Sequence, residues 1–118
     1  MAASNVRMPD LVIASGQTKS NIMNSPLAFD DAEAITLYAP GTVDAGTYTI
    51  EVNADPKATS ASSGWDTLQI GDPAGDAAPP GINKARTYYE LACVGSYRLS
   101  GPSAAADRVF QQTKSIYL

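Results

Sequence analysis

Twelve carboxylates, one cysteine, one tryptophan and six tyrosines are the side chains of this 118-residue chain with chemistry to offer; histidine is absent. The missing imidazole removes Ser-His-Asp and Cys-His nucleophilic sites at once. One cysteine without histidine cannot supply the four N or S ligands of structural zinc. Gly71-Asp72-Pro73-Ala74-Gly75 lacks the following Lys and the strand-to-helix setting of a phosphate loop. Paired carboxylates survive this elimination, because two of them about 5–9.5 Å apart can hydrolyse a glycoside. Asp30, Asp31 and Glu33 cluster, and Asp66 can face Asp72 or Asp76. Asp is also an ordinary turn residue, so solvated turns are the preferred reading. Asp72 and Asp76 fit no EF-hand spacing for calcium. The expectation is no enzyme, no metal and no cofactor.

Trp65 is either a sugar-stacking platform or the large anchor of a core, and the core reading is favoured. Cys93, within Leu91-Ala92-Cys93-Val94, reads as a small buried apolar residue, with no basic partner beside it to make it reactive. Eight basic against twelve acidic residues give a net charge of −4, and the Lys and Arg are scattered. Phosphate contacts need clustered cations, so nucleic acid is not an expected partner. The longest early apolar run, Leu11-Val12-Ile13-Ala14, is far below the roughly 20 residues of a membrane helix or the ~7–15 of a signal peptide. No membrane is expected.

These side chains must be held by strands. Thr47 to Asn53 alternates with Tyr48, Ile50 and Val52 on one face, and Ala34 to Tyr38 repeats the pattern with Ile35 and Leu37 inward. Leu11–Ala14, Trp65–Ile70, Tyr97–Leu99, Val109–Gln112 and Ser115–Leu118 complete the extended segments. Arg86 to Val94 reads as a strand or a short helix. Gly and Pro punctuate the gaps, as in Pro40-Gly41, Ser63-Gly64 and Gly101-Pro102, and Asp44-Ala45-Gly46 reads as a hairpin turn. Seven or eight short strands predict an all-β fold, a single antiparallel β-sandwich or jelly-roll-like domain over residues 10–118. Its expected core is Leu11, Ile13, Ile35, Leu37, Tyr48, Ile50, Val52, Leu68, Ile70, Leu99 and Phe110. Two long loops, Asn53–Ser63 and Gly71–Gly81, join strands. Residues 1–9 show no periodicity and are expected to form a flexible N-terminal arm.

Only 17% of residues are charged, below the usual quarter, which leaves a neutral surface suited to packing on protein. Tyr38 and Tyr89 fall opposite the apolar phase of their strands. They are interface candidates, together with the apolar end Ile116, Tyr117 and Leu118, which either docks on a neighbour or closes its own sheet.

The order of segments resembles small auxiliary virion proteins of tailed bacteriophages, the capsid decoration or cement proteins and head-associated β-sandwich proteins. The pieces that carry it run from Leu11-Val12-Ile13-Ala14-Ser15-Gly16-Gln17-Thr18 through Ala34-Ile35-Thr36-Leu37-Tyr38-Ala39-Pro40 and Tyr48-Thr49-Ile50-Glu51-Val52. They continue with Gly64-Trp65-Asp66-Thr67-Leu68-Gln69 and Ser96-Tyr97-Arg98-Leu99-Ser100, ending at Ala104-Ala105-Ala106-Asp107-Arg108-Val109-Phe110. The resemblance implies a structural protein of the virion, assembled in the host cytoplasm, that binds the major capsid protein or other virion subunits. It also implies a homo-oligomer, with a trimer favoured where capsid subunits meet. A tail-associated structural protein and a carbohydrate-binding β-sandwich module are the alternatives.

Overall fold

A computed structural model describes residues 3–24, 34–68, 85–92 and 94–117. The expected core residue Ile70, the acids Asp30, Asp31, Glu33, Asp72 and Asp76, the loop 71–81, Cys93 and Leu118 lie outside them.

The described residues form eight strands. In chain order they are β1 (Ala3–Ile13), β2 (Met23–Asn24), β3 (Ala34–Tyr38), β4 (Thr49–Asn53), β5 (Asp66–Thr67), β6 (Ala85–Tyr88), β7 (Ser96–Ser100) and β8 (Arg108–Tyr117). One sheet has the order β1-β8-β3-β6 and the other β2-β7-β4-β5, with every pairing antiparallel. The two sheets pack face to face as a β-sandwich. The apolar phase of the longer strands points between them: Ile35 and Leu37 from β3, Ile50 from β4, Tyr97 and Leu99 from β7 and Phe110 from β8 are all buried. Leu11, Ile13 and Tyr48 join them, while Val52 and Leu68 are only partly buried against the cluster. Met8, Met23, Tyr88, Leu91 and Ala104 complete the core among the described residues.

Residues 3–9 are not a free arm. They are the first part of β1, paired with β8 from Ala3↔Tyr117 to Met8↔Gln112. The register shifts by one residue between Met8 and Leu11, where β8 advances only from Gln112 to Phe110. Such a bulge moves the side-chain phase by one. Met8 and Leu11 therefore both face inward, although an odd spacing would otherwise put them on opposite faces. Pro9, which has no N–H to give a ladder, sits inside the bulge. The broken alternation is why this stretch looks patternless in the sequence.

The end of the chain is settled by the same pairing. Residues 108–117 are one continuous strand between β1 and β3, so Ser115 to Tyr117 belong to the sheet of their own chain. The Asp44-Ala45-Gly46 segment is not a hairpin, because β3 and β4 lie in different sheets. It is a crossover, held by a bidentate ion pair from Arg108 Nε and Nη2 to the two Asp44 oxygens, both at 3.0 Å. The Ala105 N–H donates to the same carboxylate at 3.2 Å, and the Asp44 N–H donates to Tyr48 Oη at 3.0 Å. Residues 86–94 divide: β6 ends at Tyr88 and a 3₁₀ turn, Glu90–Ala92, follows.

Candidate functional site

The outer face of the β1-β8-β3-β6 sheet collects the side chains that the core phase rejects. β3 turns Thr36 and Tyr38 outward because Ile35 and Leu37 go in. Thr36 stands opposite Thr87 of β6 and Thr113 of β8, so three threonines form one row across three strands. Thr36 and Thr87 share a hydroxyl hydrogen bond of 2.8 Å, and Tyr38 Oη lies 3.2 Å from Thr113 Oγ1. These bonds hold Tyr38 along the sheet. Asn5 pairs with Ser115, which pairs with Ala34. Together with Tyr89, these residues line an open groove of about 460 Å³. Its lining is Asn5, Ala34, Thr36, Tyr38, Thr87, Tyr89 and Ser115, with no charged member.

Both tyrosines predicted to face outward do so. Tyr89 is 67% exposed and Tyr38 37%, and the groove brings them together. The other interface candidates do not join them. Ile116 follows the core-facing phase of Phe110 and Gln112 and is half-buried, Tyr117 contributes its backbone opposite Ala3, and Leu118 lies outside the described residues. The threonine row is absent from the residues singled out in the sequence, although the alternation that exposes Tyr38 also exposes Thr36.

The outer face of the second sheet carries a cluster of charge. Glu51 of β4 stands opposite Arg98 of β7, with Arg98 Nε donating to Glu51 Oε1 at 2.8 Å and Lys19 Nζ donating to Oε2 at 2.9 Å. Burial pushes the Glu51 carboxyl up, but the hydrogen bonds from Lys19 and Arg98 outweigh it and hold the group below its ordinary value. Trp65 lies beside this cluster. The Arg98 guanidinium stacks over its ring at 4.1 Å, and the indole N–H donates to the Thr59 carbonyl at 3.1 Å. Trp65 is therefore half-buried on the outside of the sandwich, not a core anchor, because the inner positions of β4 and β7 are already filled by Ile50, Tyr97 and Leu99. A ring covered by Arg98 is also a poor sugar platform.

No protein-family model matches the chain, and neither the curated proteins nor the solved structures provide a match.

Of the carboxylates weighed as a hydrolytic pair, only Asp66 is among the described residues. Asp66 is exposed in β5, opposite Val52, while its possible partners Asp72 and Asp76 lie outside them. No three Asp, Glu or Cys side chains of the described residues come together to hold a metal ion. No helix of the described residues is long and apolar enough to cross a membrane.

Proposed function

We propose that this protein is a structural subunit of a tailed-phage virion, a capsid decoration protein that binds the major capsid protein through the outer face of the β1-β8-β3-β6 sheet. One observation carries the binding role: two exposed tyrosines flank an uncharged, hydroxyl-floored groove on a four-stranded sheet. Interfaces between proteins are enriched in aromatic residues and depleted of charge at their centres. Tyrosine gives large contact area with little rotamer freedom to lose. The phage assignment itself rests on the order of strands and turns that resembles auxiliary virion proteins. A trimer on the particle follows from that same resemblance.

The test uses capsids that lack the protein. The wild-type chain is expected to bind them, and Tyr38→Ala with Tyr89→Ala is expected to abolish binding while leaving thermal unfolding nearly unchanged, since both rings are exposed. Unimpaired binding by the double variant, or a wild-type monomer by light scattering that ignores capsids, overturns the proposal.

A further inference from the structure

Both sheets are laced from the two halves of the chain. Cut between β4 and β5, the chain divides into β1–β4 and β5–β8. In the order β1-β8-β3-β6 the halves alternate at every step, and they alternate again in β2-β7-β4-β5. Every hydrogen-bonded strand pair among the described residues therefore joins one half to the other, as does the isolated bridge Lys19↔Ser100. Side chains follow the same rule: Arg108 reaches Asp44, Arg98 reaches Glu51, Gln112 reaches Pro9, and the Tyr48 and Phe110 rings pack with centroids 5.5 Å apart. Among the described strands neither half pairs with itself, and a strand without a neighbour leaves its backbone N–H and C=O groups unsatisfied.

One segment joins the halves. Residues 54–65 run from the end of β4 to the start of β5, a length that extends to about 40 Å. The turns within it are local, from Ala58 N–H to the Asp55 carbonyl at 3.2 Å and from Ser62 N–H to the Thr59 carbonyl at 3.0 Å. Ser96 Oγ fastens it to β7 by donating to the Asp55 carbonyl at 2.8 Å, and Asn53 Nδ2 holds the Ser63 carbonyl at 2.9 Å. These bonds favour closure within one chain, but opening them leaves every strand pair able to re-form with a neighbouring copy. Pairing between the halves is long-range, so each half must wait for its complement during folding. A second copy carries the same complement.

We propose that the halves exchange between copies: two chains open at residues 54–65 and each half closes on the other chain's complement, giving a dimer of two sandwiches with native strand pairing. Exchange of an identical element is a low-cost route to a dimer, because the contacts formed are the ones given up. The partner is a second copy of this chain. The dimer does not depend on capsid binding or on the Tyr38–Tyr89 face.

Ile50 and Leu99 stand opposite each other on β4 and β7, both buried, and they belong to different halves. Ile50→Asp and Leu99→Asp each place an unpaired charge in the core, so each full-length variant alone is expected to be unfolded. Refolded together from urea, the two should recover a native near-ultraviolet circular dichroism signal in a species of twice the chain mass. Its amplitude should be about half that of an equal mass of wild type, because exchange makes one sandwich of each dimer intact. Ile50→Asp mixed with Ile35→Asp, both in the first half, should recover nothing. The wild-type chain refolded at rising concentration should give a rising share of dimer. A mixture as unfolded as its components overturns the proposal. So does rescue in the Ile35→Asp mixture, or a wild-type chain that stays monomeric at every concentration.

Discussion

The Tyr97 hydroxyl, on β7 of one sheet, donates to Oε1 of Gln112, on β8 of the other, at 2.5 Å, inside the core. Gln112 Nε2 in turn donates to the Pro9 carbonyl at 2.8 Å, inside the bulge where the β1 ladder is broken. Tyr97 and Gln112 are both fully buried. Burial pushes the Tyr97 phenol far above its ordinary range, against the smaller opposite pull of the Gln112 bond, so it remains a neutral donor. The chain thus satisfies its bulge with a polar path that also ties the two sheets together.

Removing Gln112 takes away its hydrogen bonds to Tyr97 Oη and to the Pro9 carbonyl. A buried group left unsatisfied costs about 1–3 kcal/mol, so Gln112→Leu should destabilise by about 3 kcal/mol in urea unfolding. Tyr97→Phe strands only Gln112 Oε1 and should cost about 1–2 kcal/mol. The double variant should lose less than the sum, because the two residues share one bond. Full additivity would show that the bond carries no coupling.

Acid should unfold the protein through two named carboxylates. The Arg108 hydrogen bonds hold Asp44 below its ordinary value, against partial desolvation, and Glu51 is likewise lowered. A group with a depressed folded pKa contributes stability that is present above its unfolded pKa and lost as pH falls through the folded one. Stability should be level between about pH 5 and 7 and fall below about pH 4. Asp44→Asn and Glu51→Gln should each lower the plateau and make the acid limb shallower, read from urea midpoints across pH.

The stack of Arg98 on Trp65 needs a planar cation. Arg98→Lys keeps the charge but loses the 4.1 Å stack and the fixed bond to Glu51. It should cost about 1–2 kcal/mol, the range of a largely desolvated cation–π contact. Because Trp65 is the only tryptophan, native-state fluorescence should change in the same variant. An unchanged spectrum would mean that the guanidinium does not cover the ring in solution.

Truncation after Lys114 removes the strand partners of Ala3, Ser4, Asn5 and Ala34. Cross-strand pairs are worth roughly 0.2–1 kcal/mol each, so the loss should be about 2 kcal/mol, some ~8 °C in Tm. A truncated chain as stable as the whole one would mean that residues 115–118 dock elsewhere than on their own sheet.

The class of fold and the inward phase of the regular strands are legible in local alternation alone. Ile35, Leu37, Ile50, Leu99 and Phe110 can be placed because a half-buried strand repeats every two residues, and the same alternation exposes Tyr38. Wherever position depends on a partner distant in the chain, the local pattern is silent. Met8 looks out of phase with Leu11 until the bulge opposite Gln112 and Phe110 is known. Asp44-Ala45-Gly46 reads as a hairpin until Arg108, 64 residues on, draws the crossover between the sheets. Trp65 reads as core because large apolar side chains usually are, and only the crowding of Ile50, Tyr97 and Leu99 leaves it outside under Arg98. Gln112, polar in an apolar phase, is placed by a broken ladder that no local rule records. Long-range pairing decides which polar groups are buried, since a buried donor or acceptor must find its partner wherever the fold supplies one.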